Sequence, residues 1–179
     1  MAILPIKKYP DLVLRERAKE VNKIKKRTIS LINNMIETML AKKGIGLAAN
    51  QVGVLQRIII VDVASLNGDR EKAHERDLIV LINPEILFQE GETMAEEGCL
   101  SFPKIMGKIK RAWKIRVKGL NINGEEVEIE ATNWPARVFS HEIDHLNGVL
   151  FIDRMDKETK EAIKDQLGML KKKNQRDEV

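Results

Sequence analysis

Residues Trp113–Ala131 read W-K-I-R-V-K-G-L-N-I-N-G-E-E-V-E-I-E-A, and this stretch decides the fold. Trp113, Ile115 and Val117 alternate with Lys114, Arg116 and Lys118; Val127, Ile129 and Ala131 alternate with Glu126, Glu128 and Glu130. Strict period-2 alternation marks two half-buried strands, and Asn123-Gly124 between them marks a hairpin turn. Parity selects the loop. A two-residue loop at Asn123-Gly124 would set charged positions against apolar ones. A three-residue loop, Ile122-Asn123-Gly124 with Gly124 left-handed, pairs Lys118 with Glu128 and Arg116 with Glu130. A slip by one residue would expose the whole apolar face, so the three-residue register is the expectation.

Working outward from the hairpin, a helix is expected from near Asn133, with Pro135 tolerated in its first turn, to Asn147, where Gly148 can cap it. A final amphipathic helix should cover about Lys157–Lys172, with Ile163, Leu167 and Leu170 inward and 173–179 as a frayed tail. Upstream, Leu31, Ile32, Met35, Ile36, Met39 and Leu40 form the stripe of a helix over Ser30–Lys43. Gly44 stands where a left-handed cap is cheapest. Ile58–Val63 and Leu78–Ile82 have strand length, the latter closed by Asn83-Pro84, and Ile86–Phe88 is expected to begin another strand. Several strands followed by terminal helices predict an α+β fold rather than a βαβ sheet.

Composition sets the bounds. The 179 residues, 43% apolar and 32% charged, suit one domain over 1–179 with a core of its own. The longest aliphatic run, Leu78–Ile82, is five residues, against about 20 for a bilayer span, and Lys7 and Lys8 interrupt any secretory h-region. A single cysteine, Cys99, permits no internal disulfide and fits a reducing cytoplasmic setting. The net charge of +4 is too small to argue for nucleic acid. Lys104–Lys118 carries seven basic and no acidic side chains, which reads as a solvated face. Aromatic residues, at 4%, are too few for a base-stacking surface.

The chemistry begins at His141-Glu142-Ile143-Asp144-His145, an H-E-x-x-H. Positions i and i+4 share one helix face, so both imidazoles can reach one metal ion, and Glu142 lies near enough to take a proton from a water there. A third ligand is needed. The extension to a histidine six residues past His145 fails, because Phe151 stands there. Asp165, twenty residues on, is read as a solvated helix residue. Cys99, in Glu97-Gly98-Cys99-Leu100-Ser101, has two readings: a small buried hydrophobe, or a thiolate ligand leaving the fourth tetrahedral position open. His74 reads as a surface-loop residue. Gly44-Ile45-Gly46-Leu47-Ala48-Ala49-Asn50-Gln51 would let another backbone approach closely and ends on an amide able to donate to an oxyanion. Tight packing explains the same residues.

The three clusters together resemble the peptide deformylase family, which carries G-x-G-x-A-A-x-Q, E-G-C-x-S and H-E-x-x-H in this order. Lys8-Tyr9-Pro10-Asp11 is similar to the family's opening segment, and the resemblance covers about residues 3–153. It implies antiparallel β-sheets packed around a central helix bearing HExxH. Cys99, His141 and His145 would be the metal ligands and Glu142 the general acid/base. Gln51 and the Leu100 N–H would hold the formyl oxygen. Gly46 would pair its backbone with the substrate peptide, and Ile45 and Leu100 would border the methionine pocket. The implied cofactor is one divalent metal ion, commonly ferrous iron (Fe2+), with Zn2+ and Ni2+ able to take the site. The implied reaction removes the N-formyl group from the initiator methionine of nascent polypeptides. Ser140 departs from the glutamine frequent before the first histidine, which should touch only hydrogen bonds around the ligands.

Two rivals stay open. A metalloprotease with the same motif would cut unformylated internal peptide bonds. A structural metal module on nucleic acid would use Lys104–Lys118 and have no need of Glu142 as a base. Lys171-Lys172-Lys173 and Arg176 read as a solvated helix end, with docking to the ribosome as the alternative.

Overall fold

The structure, a computed structural model, describes residues 2–63 and 78–176. His74 lies outside them. In chain order the elements are α1 (Lys26–Ala41), β1 (Gly46–Ala48), β2 (Ile58–Asp62), β3 (Leu78–Glu90), β4 (Thr93–Cys99), β5 (Phe102–Arg111), β6 (Lys114–Leu120), β7 (Glu126–Thr132), α2 (Asn133–Leu146), α3 (Lys157–Ala162) and α4 (Lys164–Arg176). Short 3-10 turns lie at Leu12–Arg15, Ala49–Val52 and Phe151–Arg154. An antiparallel five-stranded sheet has the order β1-β2-β3-β6-β7, and β4 and β5 form a separate antiparallel ribbon.

The hairpin adopts the expected register: Lys118 pairs with Glu128 and Arg116 with Glu130, and Gly124 is left-handed at φ 83°. Ile115 and Val117 are thereby fully buried, each worth about 1.5–3 kcal/mol relative to exposure. One face of the sheet, with Ile59, Val61, Leu81, Ile115 and Val117, packs on Phe139, Ile143 and Leu146 of α2. Ile58, Ile60 and Ile82 point the other way, onto Ile32, Met35 and Met39 of α1. Strand β2 is therefore buried on both faces, which is why its sequence is a continuous apolar run. A third cluster joins Phe102, Ile105 and Ile109 of β5 to Phe151, Ile163 and Leu170.

Five expectations need correction. Helix α1 starts at Lys26, not Ser30, because Thr28 Oγ1 accepts from the Lys25 N–H at 3.2 Å and closes the first turn. Its left-handed residue is Lys43 (φ 56°), not Gly44; Gly44 N–H donates to Met39 O, so the glycine sits one place later in a Schellman-type ending. Strand β3 does not stop at Asn83-Pro84 but passes through them on a bulge, with Asn83 at φ 53° tied by its amide to Val21. Ile86–Phe88 therefore continues β3 rather than starting a strand. The last helix is two, broken at Ile163, and α4 runs to Arg176, beyond the expected end at Lys172. Gly148 caps α2 at φ 72°, where a Cβ would lie 2.2 Å from Arg15 O.

Candidate metal centre and active-site cleft

Helix α2 is buried along Ala136–Leu146 although six of those residues, Arg137, Ser140, His141, Glu142, Asp144 and His145, are polar or charged and would ordinarily face solvent. Each must find a partner in the interior. Ser140 donates to Ala136 O within its own helix at 2.8 Å. His141 and His145 stack one turn apart, ring centroids 4.9 Å from each other. His141 Nδ1 is taken by Glu97 Oε2 at 3.0 Å, which turns its Nε2 away from that carboxylate.

Strand β4 brings the sulfur. Its last pairing is shifted at Gly98/Cys99, and Cys99 Sγ stands 3.2 Å from His145 Nε2. The ligand atoms of Cys99, His141 and His145 all lie within 4.8 Å of one another. One sulfur and two imidazole nitrogens are donors suited to zinc or ferrous iron. Burial lowers the His141 pKa, but bonds to Cys99 and Glu97 outweigh it and raise it to about 10. Burial holds His145 well below its ordinary value, so it is a neutral imidazole, and its buried Nδ1 has no partner. The donor set fits a divalent cation.

Glu142 is buried beside this triad. Burial raises its pKa to about 7 against the opposing charges of His141 and Arg111. Its Oε2 has no hydrogen-bond partner. Its Oε1 lies against Gly46, where a Cβ would come within 2.5 Å; glycine in β1 is what admits the carboxyl. Gln51 is carried by the 3-10 turn after β1. Its Oε1 accepts from the Ala48 N–H at 2.8 Å, so the amide nitrogen faces Cys99 Sγ and Ser101 Oγ, each at 3.4 Å. Ile45, Gly46, Gln51, Cys99, Leu100 and Glu142 line one cleft of about 380 Å³. All eight residues singled out from the sequence thus converge. Asp165 is exposed, and Phe151 lies in the core with its ring centroid 6.1 Å from that of His141, offering no ligand atom.

Sequence reading missed the support. Glu97 accepts from Arg111, Arg137 and His141; burial raises its pKa, but the bonds and charges of His141 and Arg111 outweigh it and lower it to about 2. Asn50 donates to His145 O, and Trp134 and Val138 complete the cleft wall. Nothing in residue type or spacing distinguishes Arg111 from its neighbours in the basic run. Only its ribbon position, inward rather than outward, does so.

Antiparallel sheets enclosing a helix with two imidazoles, a converging thiol and a buried carboxyl define a metal-dependent hydrolase. The family model for polypeptide deformylase matches residues 3–161. The peptide deformylase of Halothermothrix orenii is 54% identical over 155 residues, covering 87% of this chain and 95% of that one. That of Thermodesulfovibrio yellowstonii is 53% identical over 155 residues, with 87% and 90% covered. A crystal structure of peptide deformylase from Plasmodium falciparum superposes with a TM-score of 0.89 at 36% identity, covering 96% and 97% of the two chains. The chain belongs to the peptide deformylase family, metal-dependent hydrolases that remove the formyl group from the N-terminal methionine of nascent polypeptides.

Proposed function

We propose that residues 1–179 act as one deformylase domain in the cytoplasm, with Cys99, His141 and His145 holding a single divalent cation, Fe2+ in the cell, with Zn2+ or Ni2+ as substitutes. The supporting observation is that a rigidly oriented amide, a buried carboxyl, Cys99 and His141 line one cleft, with a ligand atom of His145 within 4.8 Å of those of Cys99 and His141. A cation held by these three residues would make a bound water acidic enough to lose its proton near neutrality. Glu142 takes that proton and later delivers it to the leaving amine, a role its free Oε2 suits. Gln51 Nε2 and the Leu100 N–H hold the formyl oxygen as it becomes an oxyanion. Gly46 pairs its backbone with the peptide, and Ile45 and Leu100 border the methionine side chain.

Two measurements bear on this. The iron-loaded, anaerobically purified protein should release formate from a formyl-methionyl peptide and leave the unformylated peptide intact; cleavage of the latter would favour the protease reading. Gln51→Ala should slow formate release by about 100- to 1,000-fold, as loss of one oxyanion donor does. Parent-level rates in that variant would remove Gln51 from the reaction. Among the described residues no helix is long and apolar enough to cross a membrane. Lys171, Lys172 and Lys173 are exposed near the end of α4. We read them as a solvated helix end favourable to its own dipole rather than as a ribosome contact. Altered ribosome co-sedimentation on removing residues 171–179 would reverse that choice.

A further inference from the structure

The HExxH helix carries one buried carboxylate that the proposed chemistry leaves unused. Asp144 accepts at Oδ1 from Arg154 Nη2 (2.6 Å), and at Oδ2 from Arg154 Nε (3.1 Å) and Arg111 Nη1 (2.7 Å). Arg111 turns its Nε and Nη2 onto Glu97, at 2.7 and 3.0 Å. Glu97 Oε2 then meets His141 Nδ1 at 3.0 Å. Alternating charges thus run unbroken from Arg154 to a metal-site imidazole. Side-chain exposure falls along the line from 49% at Arg154 to 10% at Asp144 and 4% at Arg111 and Glu97. Arg154 ends the 3-10 turn Phe151–Arg154 and lines a second cleft of about 310 Å³, which shares no lining residue with the first.

We propose that Arg154 is a positioning residue for the metal centre: it clamps Asp144 from the solvent side, so that Arg111 is aimed at Glu97 and Glu97 fixes the His141 ring. The inference rests on the ligand assignment made above. A planar guanidinium bonded to both carboxylate oxygens sets the plane of the Asp144 carboxyl as well as neutralising it. With that plane set, Oδ2 faces Arg111, and the two remaining nitrogens of Arg111 match the two oxygens of Glu97. Without Arg154, Asp144 becomes free to turn toward water and to draw Arg111 with it. Outer partners of a metal-ligating histidine tune its hold on the ion in this way. An ammonium offers charge without the fork, so lysine substitutes only in part.

The test measures metal loss to a chelator, melting temperature and KM for the metal-loaded parent, Arg154→Met and Arg154→Lys. Arg154→Met should lose metal about 10- to 100-fold faster, with KM unchanged, because Arg154 lies outside the substrate cleft. Its melting temperature should move by no more than about 4 °C, since Arg154 is itself half exposed and Arg111 still pairs with the buried Asp144. Arg154→Lys should recover part of the retention. Parent-like retention in Arg154→Met overturns the proposal. So does equal loss in both variants with melting temperatures that fall together, since that is loosening of the fold. A parent protein that holds no cation would instead refute the ligand assignment, and it shows before any variant is made.

Discussion

Glu142→Gln is expected to keep its metal at the parent level and to release formate about 100- to 10,000-fold more slowly, the range a positioned proton carrier contributes. The substitution keeps shape. The carboxyl sits in a slot left by Gly46, tight enough that a Cβ there would be 2.5 Å from Oε1, and a glutamine of the same length fills it without moving β1. What is lost is the ability to accept a proton from water and return it. The neighbouring ligands need not move: His141 is held by Glu97, and His145 faces Cys99. Elemental analysis and formate release on one preparation separate the two effects. Undiminished turnover would show that Glu142 carries no proton, and a matching fall in metal and activity would make it a structural prop.

How much of this was legible before the structure depends on where each side chain had to point. The β6–β7 register followed from alternation because one face is apolar and the other charged, and a slip would have cost the buried Ile115 and Val117. The β4–β5 ribbon was not legible, although it supplies Cys99. Its inward face carries Glu97 and Arg111, which are buried only because they satisfy each other together with Arg137, Asp144 and His141. A pattern rule that equates charge with solvent reads such strands backwards. The same rule made Lys104–Lys118 a solvated face, which fits Lys108 and Lys110 but not Arg111. Pro84 suggested a strand end because it lacks an N–H. The strand continues because a bulge absorbs the missing donor and Asn83 anchors its amide on Val21. The residues that meet at the cleft stood out in the sequence for a different reason: few residue types are suited to hold a metal or carry a proton, and three such clusters in order constrain each other more than any one constrains itself.

Cys99→Ala should strip the centre of its cation and with it nearly all turnover, while the fold survives. The sulfur is one of three donors within 4.8 Å of one another, and the other two are on a single helix. Two neutral imidazoles alone give a divalent ion no negative charge and two vacant positions, a poor match for a tetrahedral metal. The thiol also faces His145 Nε2 at 3.2 Å and Gln51 Nε2 at 3.4 Å, so alanine leaves both without that partner at the centre. Structural damage should be small by comparison. Cys99 is only partly buried at the edge of the Phe102–Phe151 cluster, and alanine removes one atom from that contact. Metal content after dialysis against a chelator should fall from about one per chain toward zero, whereas the denaturation midpoint should shift by about 1 kcal/mol or less, far below a core truncation. Full metal occupancy in Cys99→Ala would end the ligand assignment, and Arg154 would then have no centre to position. Loss of metal with an intact fold would place the ion's negative counter-charge on the thiolate that the end of β4 brings to α2.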